Sequence, residues 1–444
     1  MNKIINRIIS LIAFTVLVSS FGFSSAFAQE ESERLLTGDI GGGQVRGIPI
    51  AIVPFKSFEP LPPEFQIDDI IRNDLHATAK FEPIPKANFL SFPSNFEQVR
   101  YKDWRFIDAE ILVIGEVWRV DGGLYEVQFH IYDVAREQEV GSGKRIPNLR
   151  AEDLRVAAHI ISDEVYEVFT GRPGAFNSRI AYVKRSAADP ERPRYQLMVA
   201  DWDGYGSREV YGSWSPLLSP SWSPDNSKLA FVAFGANGSV VQLLELRTGA
   251  NEVIASFKGI NSAPAWSPDG NRIAYSTSRH GSPDVYIYNV FSKQHERIST
   301  HYGIDTEPAW SPDGRSLLFT SNRNGKPQIY NVSVGSDSSP RRVTFEGKEN
   351  ANASYDFDGR KLTMVHEGGQ IAVLEQATGQ VSMLTNAKFD ESPSFSPNGD
   401  MVLYASEDNY QPALIVASAD GRVRTRLEFV YGDVREPAWS SLKN

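Results

Sequence analysis

The chain has 444 residues, 41% of them hydrophobic and 23% charged, with a net charge of −10 and no cysteine. This is a globular composition, long enough for two or three ordinary domains. The acidic balance argues against a nucleic-acid-binding surface and against electrostatic docking on anionic lipid, and the missing cysteine excludes disulfides, thiolate nucleophiles and Cys-ligated zinc or iron–sulfur sites.

The first segment reads as an export signal. Lys3 and Arg7 precede an apolar run over 8–18, and Ala26-Phe27-Ala28 is a small-x-small site followed by Gln29 and Glu30. Cleavage is expected after Ala28, so residues 1–28 are a signal peptide. The run is short for a membrane span, no cysteine follows the site, and no second stretch approaches spanning length. The expected product is exported to the periplasm, without a membrane span. Residues 29–45 are polar and glycine-rich, and are read as a docking arm, with a frayed terminus as the alternative.

Residues 46–172 are expected to form a small α/β domain. The apolar stretch 48–55 reads as a buried strand. Helical spacing of Ile67, Ile70, Ile71 and Leu75 predicts a helix over 67–79. Stretches 109–115 and 124–132 read as strands around an Asp121-Gly122-Gly123 turn. Residues 152–169 read as a second helix, ended by Gly171-Arg-Pro-Gly174.

The remainder, 173–444, repeats itself. Pro220-Ser-Trp222-Ser-Pro-Asp-Asn226, Pro264-Ala-Trp266-Ser-Pro-Asp-Gly270 and Pro308-Ala-Trp310-Ser-Pro-Asp-Gly314 are followed by the degenerate Ala353-Ser-Tyr355-Asp-Phe-Asp-Gly359, Pro393-Ser-Phe395-Ser-Pro-Asn-Gly399 and Pro437-Ala-Trp439-Ser440. The aromatic recurs at intervals of 40 to 45 residues, with short alternating strands between, which predicts a β-propeller. Arg179-Ile-Ala-Tyr-Val183 lacks the Pro-x-aromatic strand before it, while Pro437-Ala-Trp439 has little after it. The C-terminal strand should therefore complete the first of six blades and close the ring, leaving no sheet edge. The Asp of each Ser-Pro-Asp-Gly element is read as a turn residue, because Pro presets φ, Asp bonds the backbone ahead and Gly takes positive φ. The aromatic is expected to pack between blades.

Chemistry-bearing motifs are sparse. No Gly-x-Ser-x-Gly elbow occurs, and Gly41-Gly-Gly43 lacks the Lys-Ser/Thr of a phosphate loop. None of the histidines (His76, His130, His159, His280, His295, His301 and His366) has ligand spacing, and His280, His295 and His301 are read as solvated loop residues. No cofactor and no catalytic residue is expected. If the Pro-x-aromatic strand is innermost, the residues before it ring one mouth of the channel: Asp305-Thr306-Glu307, Asp390-Glu391-Ser392 and Arg435-Glu436. Asp305, Asp390, Glu391 and Glu436 are the candidate mouth carboxylates, fit to bind a cation or a basic partner segment; the alternative is a hydrated acidic funnel.

The combination of Ile50-Ala-Ile-Val-Pro-Phe55, Ser162-Asp-Glu-Val-Tyr166, Phe169-Thr-Gly171, Gly174-Ala-Phe176, Asp201-Trp-Asp-Gly-Tyr205 and the repeat resembles the TolB family over the whole mature chain. That family comprises periplasmic components of the Tol–Pal envelope system. The resemblance implies a non-enzymatic monomeric adaptor between the inner-membrane TolA complex and the peptidoglycan-associated lipoprotein Pal, with other envelope proteins as further partners. It would support outer-membrane integrity and constriction at division. It implies Pal-facing residues Ile260, Asn261, Ala263, Thr306 and Glu307. Ile260 departs from the pattern, being apolar where many relatives place a polar residue or histidine. The TolA-facing arm would comprise Gln29, Glu30, Glu31, Ser32, Glu33, Arg34, Leu35, Leu36, Thr37, Gly38, Asp39 and Ile40. Two competing classes are an exported propeller lyase or hydrolase, which needs convergent His and carboxylates, and a glycan- or cation-binding propeller. A glycan binder needs exposed aromatics at the mouth, whereas the tryptophans lie inside the repeat.

Overall fold

The computed structural model describes residues 46–62, 65–186, 192–235, 238–336, 339–408 and 411–442. The signal segment, its cleavage site and the arm lie outside the described residues. Residues 47–444 form one compact unit.

The N-terminal part is an α/β sandwich. Ile48–Ile52 pairs in parallel with Phe81–Pro83 on one side and with Ile111–Arg119 on the other; Tyr125–Asp133 and Gln138–Leu149 then add antiparallel strands. A strand between two parallel neighbours must be apolar on both faces, and Ile50, Ala51, Ile52 and Val53 are fully buried. Helix α1 (Ile67–Ala77) matches the predicted periodicity. Helix α2 (Tyr101–Phe106) and the long outer strand Gln138–Leu149 were not anticipated; Gly141, Gly143 and Pro147 make that strand read as loop. Helix α3 (Leu154–Thr170) ends where Gly171 turns left-handed (φ 69°) and its N–H caps the Glu167 carbonyl. Helices α1 and α3 cover one face of the sheet in a core that runs without a break into the propeller through Phe176, Trp202, Leu403, Leu414 and Trp439.

The rest of the chain is a propeller of six four-stranded antiparallel blades. Blades two to six run inner to outer in chain order, from Leu217–Trp222, Asn261–Trp266, Asp305–Trp310, Asn350–Tyr355 and Glu391–Phe395 respectively. Blade one takes its inner strand from the C-terminus: Asp433–Trp439 pairs with Arg179–Ser186, with Trp439 opposite Ile180. The ring closes as the repeat count requires.

The repeated turn is held as its residues suggest. Ser267 Oγ lies between Asp269 Oδ1 (2.5 Å) and the Arg272 backbone, and Asp269 accepts the Asn271 N–H at 3.0 Å. Ser223 with Asp225 and Ser311 with Asp313 repeat the pattern. Burial works to raise the Asp225 and Asp269 carboxyls, but these hydrogen bonds outweigh it and hold them below the usual range. The aromatic that precedes the turn reaches the previous blade: Trp222 Nε1 donates to the Ala438 carbonyl and Trp310 Nε1 to that of Ala265.

This strand order gives the propeller two unlike faces. Turns that follow the inner strands, and those joining third to fourth strands, lie on one face, and the α/β domain sits there. Lys80 Nζ is 2.8 Å from Asp400, Arg172 donates to the Asn398 carbonyl, and Arg422 donates to the Ala79 carbonyl. Loops that lead into the inner strands lie on the opposite face, which the domain leaves open.

Candidate functional site

The open face is organised by a backbone irregularity repeated in every blade. Each inner strand slips register against its neighbour at one point. There Ser219, Ala263, Glu307, Asn352, Ser392 and Glu436 all take left-handed conformations, with φ between 49° and 54°. None is glycine, so each position stores strain, as is usual where a bulge re-aims side chains. The sequence signal is the proline that follows five of the six, which bars the right-handed helical region to the residue before it.

Two of these residues are carboxylates on opposite blades, and each clasps the next blade. Glu307 Oε2 accepts the Asn352 N–H at 2.8 Å and the Thr320 hydroxyl at 2.7 Å. Glu436 Oε2 accepts the Ser219 N–H at 3.0 Å. Burial raises both carboxyls. Glu436, which also feels the charges of Glu391 and Glu307, is pushed up to about 7. Burial raises Glu391 as well, helped by Asp433 and Glu407 and opposed by Arg435. A carboxyl whose proton is held more tightly in the folded state adds stability at low pH and loses it as pH rises, here between 4.5 and about 7. Glu436→Gln keeps an acceptor for the Ser219 N–H without the charge. It should raise stability by ~1–2 kcal/mol at about pH 8 and leave it nearly unchanged at about pH 5, read by thermal melts across pH.

The bulge also divides the residues singled out from sequence. Thr306, Glu307, Glu391 and Glu436 are half-buried on the inner strands, as are Ile260 and Ala263 in and beside blade three. Asp305 and Asp390, expected at the mouth, are instead buried between blades, exposed by 0% and 1%. Asp305 pairs with Arg323 at 2.8 Å, while burial raises Asp390, opposed by Ser406, Thr385 and the Arg424 charge. Asn261 is equally buried, its amide donating to the Ser239 and Phe257 carbonyls. It shapes the loop that carries Ile260 instead of presenting its own side chain. His295, read as a loop residue, lies on an outer strand with Nδ1 2.8 Å from Tyr275 Oη.

A feature the sequence reading missed surrounds the mouth. Trp214, Tyr302, Phe345, Phe389 and Tyr431 stand exposed in loops leading into five inner strands, Tyr302 by 85% and Phe345 by 75%. His301 packs on Tyr302 with centroids 4.1 Å apart, and Arg342 lies over Phe345 at 5.3 Å. Their signal was an aromatic outside any strand alternation, between outer and inner strands. Beside them a polar groove of ≈ 790 Å³ runs between blades three and four, from His301 and Arg323 to Ser339 and Pro340. Five exposed aromatic side chains around a half-buried acidic ring form a surface suited to a protein partner, since aromatics dominate interface energetics, and they also meet the requirement for exposed mouth aromatics set above for a glycan binder.

Among the described residues, no group of three or more His, Cys, Asp or Glu side chains is placed to hold a metal ion, and no helix is long and apolar enough to cross a membrane.

Comparison with known proteins covers both parts of the chain. Residues 36–140 match the family model described as the TolB amino-terminal domain, and residues 166–443 match that described as the TolB beta propeller domain. The Tol-Pal system protein TolB of Xanthomonas campestris pv. campestris is 49% identical over 425 residues, covering 94% of each chain. Its counterpart in Xanthomonas oryzae pv. oryzae is 49% identical over 439 residues, 97% of each. The crystal structure of TolB from Acinetobacter baumannii superposes with a TM-score of 0.80 at 38% identity, covering 89% of this chain and 97% of that one.

Proposed function

Because the chain belongs to the TolB family of Tol-Pal system proteins, we propose that it is a non-enzymatic periplasmic adaptor that docks Pal on its open propeller face and TolA through its N-terminal arm. In this reading it is exported by the 1–28 signal and links the inner-membrane TolA complex to the outer membrane, supporting envelope integrity and constriction at division. The observation that carries the reading is the build of that face: six strained bulges, two carboxylate clasps and five exposed aromatics, on the side the α/β domain does not cover. Ile260, Ala263, Thr306 and Glu307 supply the contact surface, and Asn261 fixes the loop beneath it. The arm, residues 29–40, alternates between its own domain and TolA. Pal binding biases that equilibrium, and the coupling is reciprocal.

Titration calorimetry of the mature protein with the soluble part of its own Pal tests the face. Tyr302→Ala changes the surface away from the clasps, Thr306→Arg changes it on the inner strand opposite Thr320, and each should weaken binding by tenfold or more, on the order of 1.4 kcal/mol or above. Glu307→Lys should abolish it, losing charge and clasp together. Deleting 29–40 should abolish TolA binding and leave Pal binding measurable. Pal binding unaffected by all three face variants would overturn the assignment of the face, and unchanged TolA binding would overturn that of the arm.

A further inference from the structure

A second constellation lies in the interface between the two domains, away from the open face. His159 on α3, Asp74 on α1 and Trp202 in a blade-one turn meet there, exposed by only 2%, 1% and 3%. His159 Nδ1 is 2.8 Å from Asp74 Oδ2, and Trp202 Nε1 donates to Asp74 Oδ1 at 3.2 Å. One carboxylate is thus shared by both helices and the propeller. His159 Nε2 is buried with no hydrogen-bond partner among the described residues. Other charged groups face the imidazole from each packed element. Asp163 on α3 caps the Phe176 and Asn177 N–H groups. Asp203 in the propeller turn pairs with Arg155 of α3, whose guanidinium lies over the Tyr205 ring at 4.1 Å. Trp202 in turn stacks on Trp439 of the ring-closing strand, with centroids 6.1 Å apart and planes at 4°.

We propose that Asp74, His159 and Trp202 form a proton-dependent latch between the domains: protonated His159 holds α1 to α3 and aims Asp74 at Trp202, and loss of that proton loosens the docking. A buried Asp74 charge needs a compensating cation, and the indole N–H alone does not supply one. Burial disfavours the imidazolium, but Asp74 outweighs it, so His159 holds its proton above the ordinary histidine range. A raised histidine contributes fully below its unfolded value of 6.5 and loses that contribution as pH rises through the folded value. Asp163, lifted by burial from 3.8 to about 6, has the same sign but a lower window, its contribution being lost between those values and so before His159 gives up its proton. Docking is therefore tightest in mildly acidic medium and weakest in mildly alkaline medium.

The cysteine-free chain makes the test direct. Spin labels at Lys102→Cys on the α/β domain and Arg247→Cys on the propeller, both exposed positions, report the interdomain distance in the full mature protein. The distribution should be single and narrow at about pH 6, and broaden at about pH 9. His159→Gln, which can still bond Asp74 but carries no proton charge, should remove the pH response. Trp202→Phe, which keeps the ring and removes the N–H, should give a broad distribution at both pH values, and serves as the readout if His159→Gln does not fold. An unchanged wild-type distribution, a pH response that survives in His159→Gln, or a Trp202→Phe protein that behaves as wild type would each overturn the latch.

Discussion

Deleting residues 433–444 is expected to abolish the folded monomer. The strand Asp433–Trp439 is the inner strand of blade one, and among the described residues no other strand pairs with that side of Arg179–Ser186. It packs on the inner strands of blades six and two, so its loss opens the ring on both sides. The edge of Arg179–Ser186 is then left unpaired, and exposed edges template aggregation. Trp439→Ala is the graded version. Trp439 is 7% exposed, its Nε1 donates to Ser178 Oγ at 2.7 Å, and it stacks on Trp202. A buried tryptophan truncated to alanine loses about 3–5 kcal/mol. Urea denaturation followed by circular dichroism should show the midpoint shift in Trp439→Ala, and size exclusion should show the truncated chain as aggregate. A truncated chain that elutes as a monomer and melts like wild type would mean that the ring is held by the other seams alone.

The architecture was legible because the repeat is written in residues that can do little else. Pro-x-aromatic-Ser-Pro-Asp-Gly needs a strand, an interblade ring and a tight turn in that order, and the structure has all three at the first five copies, while the sixth supplies the strand and the ring. Closure was legible from an imbalance between the ends, since Arg179–Ser186 arrived without a partner and Asp433–Trp439 arrived with nothing to follow. The orientation of the mouth residues was not legible. Asp305, Thr306 and Glu307 were all assigned to the channel mouth because they precede the Pro-x-aromatic strand, and in a regular strand Asp305 and Glu307 would point the same way. The bulge inserts a left-handed residue between Thr306 and Ala309 and re-aims the side chains on either side, leaving Asp305 in a blade seam and Glu307 on the clasp. A proline after a polar residue was the only local hint. The exposed aromatics were missed because aromatic content reads as core until the strand boundaries are known. The His159–Asp74 pair joins residues 85 positions apart, a contact made by helix packing that no local pattern contains.

The seam that carries Asp305 also sets the second large effect. Arg323→Ala should destabilise the protein by about 3–5 kcal/mol, the usual result of stranding a buried charge. Asp305 is fully buried and its only ion-pair partner among the described residues is Arg323, at 2.8 Å. Arg323 is itself fixed: its Nε donates to Ser321 Oγ at 2.8 Å, and the guanidinium lies over the rings of Phe319 and Tyr330, at 5.2 and 4.7 Å. The equivalent seams of blades three and five carry Asn261 and Asn350, both fully buried and satisfied by backbone and amide partners without any arginine. The same site therefore accepts an amide, and the double change Asp305→Asn with Arg323→Ala should recover most of the loss. Urea denaturation of the wild type, both single variants and the double variant forms a cycle whose coupling term should exceed about 1 kcal/mol. Additive costs would mean that the pair is solvated in solution and contributes little. Because Asp305 leads directly into Thr306 and Glu307, and Ile304 is held by its N–H to Asn322 Oδ1 at 2.7 Å, the proposed docking of Pal on this face predicts weaker Pal binding by the same Arg323→Ala protein at temperatures where it remains folded. Recovery of Pal affinity in the double variant would place the effect in the geometry of the loop, and a persistent deficit would place it in the lost arginine itself.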